Sequence, residues 1–472
     1  MKKLRTRREF LHLSAVAGAG AMLAACAPTP EVVEKVVTQE VEKVVTKEVE
    51  KEVVVTATPV VKKPVKLTAW FADRRTINIM TQEMMKSQFE IRYPHITVDV
   101  MFVPESEIPA KMATAYAAGQ APDVTALDEM QLAGFMEQGF VHPIPDGLID
   151  VRKEMGARTA EVYKIDGKYW ALPNGNMPQI LYVNLDLLDK FGYKVDDIPS
   201  KRDDFIKWAK ELTIWEGDEI KQWGYTWVGA PWAWLDYAYQ KRTFTFKNNK
   251  ECNFDDPVFA EAWRFWLDLL DVHKLDFRTA PLSPQERVAQ GLAVTGVQSG
   301  FACGWFPTQY PQTKWATLPQ PSLSGEGPYA QANDDLGFCV TTQKKGPEEV
   351  EAVWTLWRYL VGPDYQRQYC PLRGVQPSLL ELRKEEKFTE SNPRWRGTAI
   401  TAKPGNYLTD GVWRAEISPL IWQDVVERIQ NKGEPIEDVL ADHKAKIDKI
   451  LAEKDLPLLL GRDGWKAEWE QP

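Results

Sequence analysis

Hydrophobic positions along the chain switch between two periods, and the switches outline a fold. Over Lys66–Phe71, residues Leu67, Ala69 and Phe71 fall on one side of a two-residue repeat, which predicts a strand. Ile77, Met80, Met84 and Phe89 then recur at near-helical spacing, predicting a helix over 76–93 that Pro94 ends. Val98, Val100 and Phe102 return to the two-residue repeat in a strand over 97–103. A helix over 106–118 follows, with Gly119 at its C-terminal cap, and Pro122 leads into a third strand over 123–127. Alternation of this kind predicts a parallel sheet with helices on both faces. In such sheets ligands bind beyond the carboxyl ends of the strands, which puts residues 72–75 and 128–130 at the edge of a site. A further helix is expected from Pro347 to Val361, ending near Gly362.

The first residues read as an address rather than as structure. Lys2, Lys3, Arg5, Arg7 and Arg8 precede an apolar stretch of small residues from Leu13 to Ala25, too short to span a bilayer. Thr6-Arg7-Arg8-Glu9-Phe10-Leu11 resembles a twin-arginine export signal. Leu23-Ala24-Ala25-Cys26 resembles the lipoprotein box of bacterial signal peptides. Residues 1–25 are thus expected to be removed, with Cys26 taking the lipid and holding the protein at the outer face of the cell membrane. Residues 26–65 are expected to be a low-complexity tether. Glu34-Lys35-Val36-Val37-Thr38 recurs as Glu42-Lys43-Val44-Val45-Thr46, a spacing that is neither a heptad nor a helical multiple.

Composition narrows the chemistry. Asp plus Glu outnumber Lys plus Arg by 67 to 58 in 472 residues, a net charge of −9 that disfavours nucleic-acid binding. Five cysteines do not make a disulfide scaffold. Beyond Cys26, the set Cys252, Cys303, Cys339 and Cys370 allows two disulfides in three connectivities or four buried thiols. Folding in a reducing compartment before export favours thiols. No His or Cys spacing suits a metal, and no phosphate loop or nucleophile elbow occurs, so neither cofactor nor metal is expected. Tryptophan, at 19, exceeds both Phe and Tyr, and flat rings suit ring-shaped ligands. Trp208, Trp263, Trp266, Trp354 and Trp357 lie within amphipathic helices and are read as core.

Several segments resemble a known family. Phe89-Glu90-Ile91-Arg92-Tyr93-Pro94-His95-Ile96-Thr97-Val98, Ala118-Gly119-Gln120-Ala121-Pro122-Asp123-Val124 and Asp166-Gly167-Lys168-Tyr169-Trp170-Ala171-Leu172-Pro173 are similar to motifs of bacterial extracellular solute-binding proteins of family 1, the sugar-binding receptors of ABC importers. Leu181-Tyr182-Val183-Asn184 resembles their first crossing strand. Leu318-Pro319 and Leu336-Gly337-Phe338-Cys339-Val340 resemble the approach to a second crossing, and Gly374-Val375-Gln376-Pro377 a third. Residues 433–451 resemble the closing helices. The chain departs from the family at His95, Trp170-Ala171 and Val183, positions that look structural. The resemblance implies an α/β, two-lobed periplasmic-binding-protein-like fold of type 2, each lobe a mixed sheet flanked by helices, joined by hinge strands. By position the N-terminal lobe would be 66–178 plus 338–376 and the C-terminal lobe 179–337 plus 377–460, with a tail at 461–472.

The function so implied is a lipid-anchored, monomeric receptor that binds a carbohydrate, expected to be an oligosaccharide, between its lobes and delivers it to ABC permease subunits, without catalysis. A secreted carbohydrate-active enzyme and a non-transport receptor on the same fold are the competing readings. Candidate stacking platforms are Trp232 and Trp234 in a Pro-containing turn, Trp305 after Gly304, and Trp413 before a helix near Ser418. Candidate polar contacts are Asp73 and Arg74 after the first strand, Asp128 and Glu129 after the third, and Asn174 and Asn176 before the first crossing.

Overall fold

A computed structural model describes residues 62–155, 160, 163–165, 167–228, 233–248, 251–279, 281–342, 345–403, 406–408 and 416–453. The signal, Cys26, the tether up to residue 61, Trp232, Trp413 and the tail at 461–472 lie outside the described residues, and Val65, expected at the end of the tether, opens the first strand. No helix among the described residues is long and apolar enough to cross a membrane.

The chain begins with strand β1 (Val65–Ala72), helix α1 (Arg75–Met84), β2 (Ile96–Val103), α2 (Ile108–Ala117), β3 (Val124–Leu127), α3 (Glu129–Glu137) and β4 (Val141–His142). β1 lies parallel to both β2 and β3, the arrangement that the alternating periods predict. The expected helix over 76–93 is not uniform. After α1 the backbone widens into a π-helical turn at Met85–Phe89 before closing with Glu90–Arg92. Met84, Met85 and Phe89 are all buried across this turn, facing the first core.

β5 (Leu172–Pro173) belongs to this first sheet, and two residues later β6 (Gly175–Asn184) belongs to a second. The second sheet and its helices take up α4 (Arg202–Glu211), β7 (Ile214–Glu216), β8 (Glu219–Thr226), α5 (Leu235–Gln240), α6 (Pro257–Asp271), α7 (Pro284–Ala289), β9 (Ala293–Ser299), α8 (Ala302–Gln309) and β10 (Trp315–Pro319). Helix α7 starts in a capping box, with Glu286 accepting from the Ser283 amide. Burial follows position in the sheet. β9 is buried at every residue and lies centrally, whereas the edge strand β7 is exposed at all three.

β11 (Ala330–Asp334) pairs antiparallel with β6, and the chain then returns to the first sheet as β12 (Gly337–Thr341), antiparallel to β3. Helices α9 (Pro347–Leu360) and α10 (Pro363–Arg373) cover that sheet. β13 (Gln376–Pro377) crosses back onto β6, followed by α11 (Arg396–Thr401), β14 (Tyr407–Leu408) and the closing helix α12 (Ile436–Glu453). The strand orders are β2-β1-β3-β12-β4, with β5 on β12, and β14-β11-β6-β9-β8-β7, with β10 and β13 on β6.

Each sheet has its own core. The first gathers residues from Val65 to Leu172 and from Leu336 to Trp395. The second runs from Leu181 to Val297 and from Ile417 to Leu451, and a smaller cluster around Tyr182, Phe306 and Trp315 lies beside β6. Leu379, Leu382, Phe388 and Trp395 still pack in the first core, so the chain leaves that core past Trp395 rather than at 376. The cause is the short β13: two residues pair with β6 and the following 3-10 turns fold back. The helical tryptophans behave as core: Trp208, Trp263, Trp266 and Trp357 are buried, and Trp354 packs against the first core.

Candidate functional site

The three chain crossings run side by side. β6 carries β11 at Asn176–Pro178 and β13 at Gly175–Asn176. Backbones approach too closely here for side chains. A Cβ on Gly175 would stand 2.5 Å from a Val375 methyl. Gly374, at φ +80°, caps α10, and a Cβ there would meet Gly300 O at 2.6 Å.

Polar side chains gather around this band and at the nearby strand ends. Asp73 follows β1 and accepts from Asn78 Nδ2 at 2.6 Å. Arg74 does not pair with its neighbour Asp73. Its guanidinium binds Glu105, which follows β2, at 2.5 Å. Asp128, after β3, caps α3 by accepting from the Gln131 amide at 2.6 Å. Glu129 opens that helix. Glu105 was within reach of the strand-end rule, which applies to β2 as much as to β1 and β3.

At the crossings, Asp335 lies fully buried between β11 and β12. Arg373 Nε donates to it at 2.9 Å and Tyr369 Oη at 2.6 Å, while Tyr163 Oη donates to its main-chain oxygen at 2.7 Å. Burial alone would lower the Arg373 pKa, but Asp335 and Tyr369 outweigh it and the guanidinium is held above its ordinary value. Burial, and then the Asp335 charge, push the Tyr369 phenol well up. Arg74 acts electrostatically on Tyr369 and Glu105 on Arg373, so the strand-end pair and the crossing pair form one neighbourhood. Asp335, Arg373 and Tyr369 had no local signal beyond the acidic doublet Asp334-Asp335 before β12.

The two asparagines differ. Asn176 is buried and its Oδ1 accepts from Arg383 Nη2 at 2.5 Å, across 207 residues of chain. Asn174 is equally buried, yet neither Oδ1 nor Nδ2 has a hydrogen-bond partner among the described residues. Leaving such groups unpaired costs about 1–3 kcal/mol each.

The tryptophans also separate. Trp234 is no cleft platform. Its ring is 1% exposed and stacks on Trp263 at 4.9 Å, with Phe254 and Phe259 around it, because the turn before α5 tucks it into the second core. Trp305, in α8, is half-buried between Phe306 and Tyr310. Cys252, Cys303, Cys339 and Cys370 are all buried thiols, with no disulfide among the described residues. Burial pushes the Cys303 thiol up to about 12. Among the described residues no cluster of His, Cys, Asp or Glu is placed to hold a metal ion.

Comparison with known proteins follows this geometry. The model of the bacterial extracellular solute-binding protein family matches residues 84–394. A Brucella abortus relative with a provisional designation as a binding protein is 24% identical over 396 residues, covering 78% of this chain and 89% of its own. Two solved structures share the fold. The maltose/maltodextrin-binding domain MalE from Bdellovibrio bacteriovorus, bound to maltotriose, is 19% identical with a TM-score of 0.65, covering 83% of this chain and 100% of its own. UgpB from Mycobacterium tuberculosis, in complex with glycerophosphocholine, is 16% identical with a TM-score of 0.66, covering 82% and 98%.

Proposed function

The chain belongs to the bacterial extracellular solute-binding proteins, and on that premise we propose that it is a receptor that binds a carbohydrate, an oligosaccharide by preference, between its two lobes and delivers it to an ABC importer. Family membership puts the protein outside the cytoplasm. The finer reading is that twin-arginine export delivers a monomer, Cys26 carries the lipid at the outer face of the cell membrane, and residues 26–65 hold the domain off the surface. The lobes are taken as 66–178 plus 338–376 and 179–337 plus 377–460, with the second segment of the first core running on to Trp395.

The observation that supports this reading is the band of three adjacent crossings, beside which Asp73, Arg74, Glu105 and Asp128 end the strands of one sheet. Paired strands of this kind let two cores rotate about a narrow hinge while a ligand is held between them. Asp73, Arg74, Asp128, Glu129, Asn174 and Asn176 are the proposed polar contacts, and Trp305, Trp232 and Trp413 the proposed platforms. Trp234 is withdrawn from that set. Family membership and the solute-binding neighbours favour binding without catalysis.

The test is thermal melting of the purified full chain against a panel of saccharides and glycerophosphocholine, with the same samples checked for products. A ligand at 100 times its Kd adds about 2.7 kcal/mol, a shift of several degrees. A shift with intact sugar, together with compaction by solution scattering, supports the receptor. Cleaved sugar moves the reading to a carbohydrate-active enzyme. A shift with glycerophosphocholine alone replaces the sugar by a phosphodiester.

A further inference from the structure

The described residues expose few large apolar side chains, and two of them, Trp215 and Val272, line one hollow beside the second sheet. Trp215 belongs to the edge strand β7 and is 37% exposed. An indole left on the surface is unexpected in a lobe whose Trp227, Trp234 and Trp263 are buried completely or almost so. The ring is held in place. It meets Phe277 edge to face at 5.7 Å, and Phe277 in turn meets Trp223.

Trp215 borders a concavity of about 700 Å³ between the β7–β8 hairpin and the C-terminal end of α6. That volume is in the range of small-ligand sites. Its rim carries Lys210 from α4, Asp218 from the hairpin turn, and His273 and Lys274 from the end of α6. Lys274 takes φ +52°, a left-handed conformation unusual for a residue other than Gly.

The charges in this hollow are unevenly used. Arg278 pairs with Asp271 at 2.6 Å, and Asp276 at the base is met from behind by Arg287 at 2.7 Å. Lys210 and Lys274 have no carboxylate partner among the described residues. Asp218 likewise has no ion-pair partner among the described residues, so two ammonium groups and one carboxylate share the rim with the seated indole, a local excess of positive charge on a chain whose net charge is −9. A sugar ring offers an apolar C–H face to an indole, and an acidic sugar also offers a carboxylate to ammonium groups.

We propose that this concavity is a second binding site, separate from the crossings, for an acidic saccharide whose ring stacks on Trp215 and whose carboxylate is held by Lys210 and Lys274. It does not depend on the cleft reading, because none of its residues lies at the crossings.

The experiment is calorimetric titration of the full chain with a glucuronate-containing disaccharide and, separately, with a neutral disaccharide of the same linkage. The unmodified chain, Trp215→Ala and Lys210→Gln/Lys274→Gln are compared. Trp215→Ala is expected to weaken the acidic disaccharide about tenfold or more, the usual scale for losing an aromatic anchor. The lysine pair is expected to weaken the acidic disaccharide by a similar factor while leaving any neutral binding unchanged, and raised salt should mimic it. The lysine double variant should keep the melting temperature of the unmodified chain, since Lys210 and Lys274 are exposed, while Trp215→Ala should lower it slightly through the lost contact with Phe277; both should keep any ligand-induced shift found for the cleft. No heat from the acidic disaccharide with the unmodified chain overturns the proposal. Equal affinity for all three proteins also overturns it, since binding would then lie elsewhere.

Discussion

Two buried polar centres in this molecule are built in opposite ways. In the second core, Asp276 is saturated. It receives Arg287 Nη1 at 2.7 Å, Thr226 Oγ1 at 2.7 Å, Trp223 Nε1 at 2.9 Å and the amides of Trp227, Val228 and Phe277. Arg287 also donates to Val228 O at 2.6 Å and sits over the Trp223 ring. At the crossings, Asn174 is equally buried and its amide receives nothing. The Asp276–Arg287 network, which leaves only Arg287 Nε without a partner among the described residues, ties β8, α7 and the loop after α6 into one rigid piece. An empty one beside the crossings holds hydrogen-bonding capacity for a different arrangement or for a ligand. Asp335 stands between them. It is buried and paired, but its partners Arg373 and Tyr369 belong to α10, next to the crossing itself.

The contrast breaks most visibly at Arg287. Arg287→Met strands a buried carboxylate and is expected to cost about 3–5 kcal/mol, read as a lower denaturant midpoint. A loss under about 1 kcal/mol would show that Asp276 is held by its amide and hydroxyl donors alone. Tyr369→Phe removes one donor from buried Asp335 and is expected to cost about 1.5–3 kcal/mol, the range for hydrogen bonds to a charged group. Asn174→Leu should go the other way. It removes an unsatisfied amide, so the ligand-free chain should gain about 1 kcal/mol while ligand-induced stabilisation shrinks. A clear loss of ligand-free stability would show that Asn174 already has a partner in solution. The smallest effect is expected at the thiols. With Cys303 pushed up to about 12, native alkylation at pH 8 should be very slow and become complete only in guanidinium. Rapid native labelling would mean that the region beside β6 opens readily.

The polar strand ends beside the crossings were legible in the sequence because their signal is local. The strand-end rule picked out Asp73, Arg74 and Asp128 because the ends of β1 and β3 are set by short hydrophobic runs. It did not reveal that Arg74 binds Glu105 rather than Asp73, since that pairing depends on two strands lying side by side. The two asparagines before the first crossing look alike in sequence. The distant Arg383, brought in by the turns after β13, reaches Asn176, whereas the Asn174 side-chain amide has no partner among the described residues. Trp234 was misread for the same reason. A Pro-containing turn suggests a surface, whereas its ring is claimed by Trp263 on α6.

By itself the sequence determined the alternation of strands and helices, the parallel start of the first sheet and the burial of the helical tryptophans. These follow from periodicity and turn residues, which act over a few positions. The tertiary structure alone decided which buried polar groups are matched: Asp276 with Arg287, Asp335 with Arg373 and Tyr369, and Asn174 with none. A hydrogen bond needs two atoms within about 3 Å, and no pattern along one segment specifies which distant residue will arrive there.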